Sequence, residues 1–109
     1  MNCVFCQIIA GKIPAKFLYE SDQLVAFPDI HPSADTHILI VPKQHINSLA
    51  ELTEDHGSLL SEIYQVSVKL VKDQNLVNDL YRIVVNGGKA QQIPHLHFHF
   101  LGGKWRKFV

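Results

Sequence analysis

Neither sign of charge is in excess. Ten Lys and Arg stand against ten Asp and Glu, with an isoelectric point near 7.1. Nucleic-acid backbones and anionic membranes are bound mainly through surplus positive charge, so neither is expected as the main partner. No run approaches the ~18 apolar residues of a membrane span, and the N-terminus lacks the basic, apolar, small-residue layout of a secretion signal. A soluble cytoplasmic protein is expected. Cysteine is scarce: Cys3 and Cys6 are the only two, too close together to staple a fold. In a reducing compartment that spacing points to metal or redox chemistry. Internal repeats, low-complexity segments and linkers are also lacking, so the 109 residues are expected to form one domain spanning 1–109. A core of that size is modest, and dimerisation would help it.

What the chain does have is His95-Leu96-His97-Phe98-His99-Phe100-Leu101. Read as a strand, it places the three imidazoles on one face and Leu96, Phe98 and Phe100 on the other. Three readings compete. The histidines could simply sit on a half-exposed strand, though strict alternation of three argues against that. They could share one metal, but His95 and His99 are separated by ~13 Å of strand while Zn–N bonds are about 2.1 Å, so two fit one ion and three do not. Or one imidazole is a nucleophile flanked by imidazole donors, which suits a side chain that is either a neutral base or a cation near neutral pH.

Around this run, residues 3–10 read as a short helix ending at Gly11. Residues 17–20 and 24–27 read as a hairpin across Ser21-Asp22-Gln23, with Pro28 stopping its second strand. A loop at 29–35 leads into a β-branched strand at 36–41, closed by Pro42, with His37, Leu39 and Val41 on one face. From Thr53, placed as N-cap, an apolar stripe of helical period runs to about Gln74 and marks the one long helix. A strand at 80–85, a turn at Asn86-Gly87-Gly88, the histidine strand and a short basic tail at 102–109 follow. The order predicts an α+β fold: a mainly antiparallel sheet of about five strands, one long helix and a short N-terminal helix.

The run fits the pattern His-φ-His-φ-His-φ-φ, φ being hydrophobic, and here the chain resembles the histidine triad (HIT) superfamily. Cys3-Val4-Phe5-Cys6, Ile13-Pro14-Ala15-Lys16, Ala26-Phe27-Pro28-Asp29-Ile30, residues 36–43, residues 82–86 and Leu101-Gly102-Gly103 carry the likeness over nearly the whole chain. They are most similar to the Hint branch of purine nucleoside phosphoramidases. The resemblance implies a nucleotide-binding hydrolase that cleaves purine nucleoside phosphoramidates or acyl and aminoacyl nucleotides to the monophosphate. His97 would attack the α-phosphorus to form a nucleotidyl-histidine that water hydrolyses. It places His99 as a donor to a non-bridging oxygen, His37 near the leaving group, and Asn86 on the phosphate side, where spacing alone leaves an ordinary turn asparagine equally open. Phe5, Ile8, Ile13, Phe27, Ile30 and Leu39 are implied around the base and Asp29 on the ribose hydroxyls, with Gln92, in the loop before the triad, also among the nucleotide-binding residues. Taken singly, those apolar residues would be plain core.

Some relatives hold structural zinc with residues matching Cys3, Cys6, His45 and His95. Bound zinc and two reduced cysteines beside the core both remain open, and no cofactor is expected for catalysis itself. A homodimer is implied. Loop 87–94 is two residues shorter than the usual pattern, Gln92 stands where a serine is common, and the tail differs from the family's ending. Alternatives are a dinucleoside polyphosphate hydrolase or nucleotidyl transferase of the same superfamily, and a non-catalytic nucleotide- or zinc-binding module.

Overall fold

The computed structural model describes residues 3–107 and residue 109. Helix α1 (Val4–Ile9) starts at Cys3, whose thiol accepts the Cys6 N–H, and ends before Gly11, which takes φ +78°. That left-handed turn is accessible to glycine at little cost and closes the helix. Strands β1 (Tyr19–Glu20) and β2 (Leu24–Pro28) form the expected hairpin, with the Ser21 hydroxyl accepting from the N–H groups of Gln23 and Leu24 in its turn. β1 is shorter than expected, and Pro28 is the last residue of β2 rather than the first beyond it.

β3 (Ala34–Pro42) begins two residues earlier than its β-branched run. Thr53 does act as a cap, but for a 3-10 turn, Glu54–His56, that feeds α2 (Gly57–Asp73). β4 (Tyr81–Val85) and β5 (Phe98–Trp105) complete one five-stranded antiparallel sheet of order β1-β2-β3-β5-β4. The fold is therefore α+β, with one long and one short helix, as expected.

Both ends of β5 also differ from the sequence reading. β5 starts at Phe98, so His95 and His97 lie on the approach to the strand. At its other end β5 continues through Gly102 to Trp105, residues expected in the tail. The Thr36–Gly102 and Ala34–Trp105 pairs enclose one more residue on β5 than on β3, and Gly103 sits in that bulge with φ +75°.

The division of faces holds. Leu59, Ile63, Val66 and Leu70 of α2 pack on Leu24, Ala26, Ile38, Ile40, Leu96, Phe98 and Phe100. Burying each such side chain is worth about 1.5–3 kcal/mol, which fixes α2 to one face of the sheet. Phe5, Val25, Phe27, Leu39 and Val41 form a smaller cluster on the opposite face, under α1, and the triad imidazoles line that side.

Candidate active site

β3 and β5 are neighbours, and the pairs Leu39–His99 and His37–Leu101 bring His37 and His99 together from residues far apart in sequence. His37 Nε2 lies 2.9 Å from His99 Nδ1. The backbone N–H of Ser33 donates to His37 Nδ1 at 2.9 Å, so the His37 proton belongs on Nε2. That proton is donated to His99 Nδ1, which leaves the His99 proton on Nε2, free to reach a ligand. His97 is fixed the opposite way round. Its Nδ1–H donates to the carbonyl of His95 at 2.7 Å, leaving a lone pair on Nε2.

The three rings form a continuous row. His97 stands 5.0 Å from both the Phe5 and His99 rings, and the His37 and His99 rings are 5.2 Å apart. All three histidines are buried. Burial lowers the proton affinity of each and is the largest influence on all three. His99 falls furthest, to about 4, with His97 and His37 adding to the effect. The Asp29 carboxylate opposes the shift at all three histidines, and its Oδ2 is 3.5 Å from His37 Nε2. The row thus presents neutral imidazoles at neutral pH: one bare nitrogen and one N–H donor side by side.

Of the remaining residues singled out in the sequence, Phe5, Ile8, Phe27 and Leu39 pack together beside His97. Ile13 lies outside that cluster, and Ile30 is 86% exposed. Asp29 accepts the His31 N–H on Oδ1. Asn86 follows the last β4–β5 pair, Val85–Phe98, which sets it at the level of His97. Gln92 is not in the histidine row: it lines a shallow cavity of about 440 Å³ with Cys3, Val4, His45, Asn47, Ile93 and Pro94.

That cavity opens on a second cluster. Cys3, Cys6, His45 and His95 converge, with one ligand atom from each within 4.8 Å of every other. Cys3 Sγ is 3.3 Å from His95 Nδ1, Cys6 Sγ is 3.1 Å from His45 Nδ1, and the two Nδ1 atoms are 3.1 Å apart. His95 Nε2–H donates to the Pro42 carbonyl at 2.8 Å, and His45 Nε2–H to Asn47 Oδ1 at 2.9 Å. Each imidazole therefore turns an Nδ1 lone pair toward the other and toward two thiols. Lone pairs in that arrangement want a cation between them, and outward hydrogen bonds of this kind orient metal-bound histidines. Tetrahedral zinc with bonds of about 2.1 and 2.3 Å spaces its ligands roughly 3.3–3.8 Å apart, close to what is seen, so the residues fit the metal. Burial, and then the Cys3 thiol, raise the Cys6 thiol pKa.

Three contributors carried no sequence signal, because they are backbone groups: Ser33 N–H, Pro42 C=O and His95 C=O. Asn47 and Gln91 were missed as side chains. Gln91 Nε2–H bridges the carbonyls of Asn47 and Ile93 at 2.6 and 2.9 Å and ties the pre-triad loop to the segment carrying His45.

Residues 2–107 match the family model described as scavenger mRNA decapping enzyme C-term binding. The chain is 39% identical over 103 residues to Protein HitA of Neisseria gonorrhoeae, covering 93% of this chain and 95% of that one. It is 43% identical over 105 residues to an uncharacterized HIT-like protein of Synechococcus elongatus, covering 94% and 91%. Among solved structures, a HIT family hydrolase from Legionella pneumophila superposes with a TM-score of 0.91 at 38% identity, covering 98% of this chain and 97% of that one. A histidine triad protein from Clostridium difficile gives 0.89 at 37% identity, covering 100% and 96%. Matched nearly end to end in sequence and in fold, the chain belongs to the histidine triad (HIT) family.

Proposed function

We propose that the protein is a nucleotide hydrolase that releases nucleoside monophosphate from purine nucleoside phosphoramidates, or from acyl and aminoacyl nucleotides, through a nucleotidyl-histidine. The observation that carries this reading is the pairing of opposite tautomers: a bare His97 Nε2 beside a His99 Nε2–H. His97 Nε2 forms a bond to the α-phosphorus as the P–N bond breaks, and the amine leaves with a proton taken from solvent. Water then attacks phosphorus, the P–Nε2 bond breaks, and the lone pair returns to His97 with release of the monophosphate and one proton. His99 Nε2–H donates to a non-bridging oxygen as its charge grows, where a fixed donor lowers the barrier most. His37 holds His99 in that tautomer, and Asn86 lies at the level of His97 to contact the phosphate side.

Phe5, Ile8, Phe27 and Leu39 supply an apolar floor for the base, with Ile13 and the exposed Ile30 toward the rim. Asp29 retains free lone pairs for the ribose hydroxyls, since the His31 N–H occupies only one of about four. Cys3, Cys6, His45 and His95 hold a structural zinc, which when bound cross-links three separated segments and takes no part in the chemistry. A homodimer in the reducing cytoplasm suits the two free thiols and the open β4 edge.

The test is AMP release from an adenosine phosphoramidate. His97→Ala should lower kcat by several orders of magnitude, more than the ~10²–10⁴ that general acid–base help supplies. Equal turnover by wild type and variant would exclude His97 as nucleophile. A panel including diadenosine polyphosphates separates the related hydrolase and transferase chemistries.

A second reading, nucleotide binding without turnover, is favoured by one observation. In the short 87–94 loop the N–H groups of Ala90 and Gln91 are spent on Gly87 and Gly88 carbonyls within a 3-10 turn, rather than pointing at a phosphate. Gly88 does keep one left-handed position, φ +57°. AMP binding by calorimetry with no turnover across the panel would establish this reading.

A further inference from the structure

We propose that the C-terminal segment 103–107 is a strap that sets the tautomers of the His37–His99 pair, with Asp35 and Arg106 as its positioning residues. The route starts at the β5 bulge. Gly103 adopts φ +75°, and a Cβ there would come within 2.6 Å of the Asp35 carboxylate, so only glycine lets the chain turn so closely over Asp35. The carboxylate then grips the strap at two points: Oδ2 accepts the Lys104 N–H at 2.9 Å, and Oδ1 accepts from the Arg106 guanidinium at 2.7 Å. Arg106 donates a further hydrogen bond to the Ala34 carbonyl at 2.8 Å. Its backbone N–H donates to the Ser33 carbonyl at 2.7 Å, and the Lys107 N–H reaches the same oxygen at 3.4 Å.

Ser33 is thus held from the strap through its carbonyl, while its own N–H donates to His37 Nδ1. That bond is what excludes a proton from His37 Nδ1 and aims the Nε2–H at His99. The strap therefore reaches the row without touching it. Arg106 serves in this way because its guanidinium presents two separate nitrogens in a fixed fork, one donating to the Ala34 carbonyl and the other to the Asp35 carboxylate.

The charges of Asp29, Lys107 and His97 act on His37 through space, and His99 lies at hydrogen-bond distance from it. Asp29 also attracts the Nε2–H and preserves part of the preference when the strap is released, so the expected effect is a shift and not a reversal.

The inference rests on the proposed activity only for its effect on turnover, since the tautomers belong to the free protein. Imidazole ¹⁵N shifts of His37 and His99, recorded at pH 8 without ligand, test it. In wild type both rings should carry the proton on Nε2. In Arg106→Ala and Asp35→Ala the ratio of Nδ1–H to Nε2–H at His37 should rise about fivefold, the equilibrium worth of one ordinary hydrogen bond. Phosphoramidate kcat should fall severalfold with KM little changed. Unchanged tautomer ratios in the folded variants, or an Nδ1–H His37 in wild type, would overturn the strap. Should Asp35→Ala fail to fold, Arg106→Ala, which alters only an exposed side chain, decides. A tautomer shift in a protein that cleaves nothing supports the strap and removes the proposed activity instead.

Discussion

A histidine is useful in this site only if it is neutral and its proton is on the right nitrogen. Burial favours the neutral form of His37, His97 and His99, and likewise of His95 in the neighbouring cluster, with desolvation as the main cause of the lowered proton affinity in each. This has a consequence for stability, and its sign follows from linkage. A buried neutral histidine binds fewer protons folded than unfolded, so it costs nothing above the unfolded pKa of 6.5 and destabilises the fold as pH drops toward its folded value. For His99, with a folded value of about 4, the loss amounts to about 3 kcal/mol once the pH reaches that value. Melting temperature is expected to be flat from pH 8 to 6.5 and to fall below it, and His99→Asn should flatten the acid limb relative to wild type. Parallel acid limbs for the two proteins would show that His99 is not held neutral by burial.

Among elements, the consequential meeting is that of α1, the segment after β3 and the approach to β5, which deliver Cys3 and Cys6, His45 and His95 respectively. Among the described residues one backbone hydrogen bond joins two of these segments, from the Leu96 N–H to the Ile46 carbonyl at 2.6 Å. A metal there would act as a staple between segments 92 residues apart, and its binding energy would become folding energy. Protein purified without chelator is expected to carry close to one zinc per chain by elemental analysis. Stripping it should lower the melting temperature by about 4–8 °C for each kcal/mol of linkage lost, and Cys3→Ser/Cys6→Ser should lose both the metal and the shift. Full metal content in that variant would rule out the ligand set. Gln91 gives the staple a second reach, since it fastens the pre-triad loop to the Asn47 carbonyl, two residues from His45.

For the whole molecule, the sheet ends in an asymmetric way. β1 is a two-residue edge, but β4 is a five-residue edge strand that among the described residues pairs only with β5, with Tyr81 49% exposed. Tyr64 and Val68 of α2, together with Val77 and Leu80, are also exposed apolar side chains. A long open edge next to exposed apolar side chains is ordinarily covered, and a second copy would do so by antiparallel β4 pairing with α2 against α2. Sedimentation is expected to show a dimer at micromolar concentration, and Val68→Glu/Tyr81→Glu a monomer with the sheet intact by circular dichroism. A wild-type protein that sediments as monomer at tens of micromolar would remove the dimer from the proposal.

By itself the sequence determined what depends on local period and residue type. The alternation through 95–101 divided imidazoles from core, and the helical stripe of Leu59, Ile63, Val66 and Leu70 placed α2, because side-chain direction follows backbone geometry within a few residues. The family motifs named the residues of both clusters. Only the tertiary structure decided which nitrogen of each ring carries a proton, because the partners are the backbone groups of Ser33, Pro42 and His95, which every residue possesses and no side-chain pattern marks. It also decided that the expected tail is strand and strap, since the close passage of Gly103 over Asp35, sixty-eight positions earlier, is a long-range juxtaposition that no local pattern marks. And it set Gln92 over the cysteine–histidine cluster instead of the histidine row, because a loop's path is governed by what it is tied to, here through Gln91.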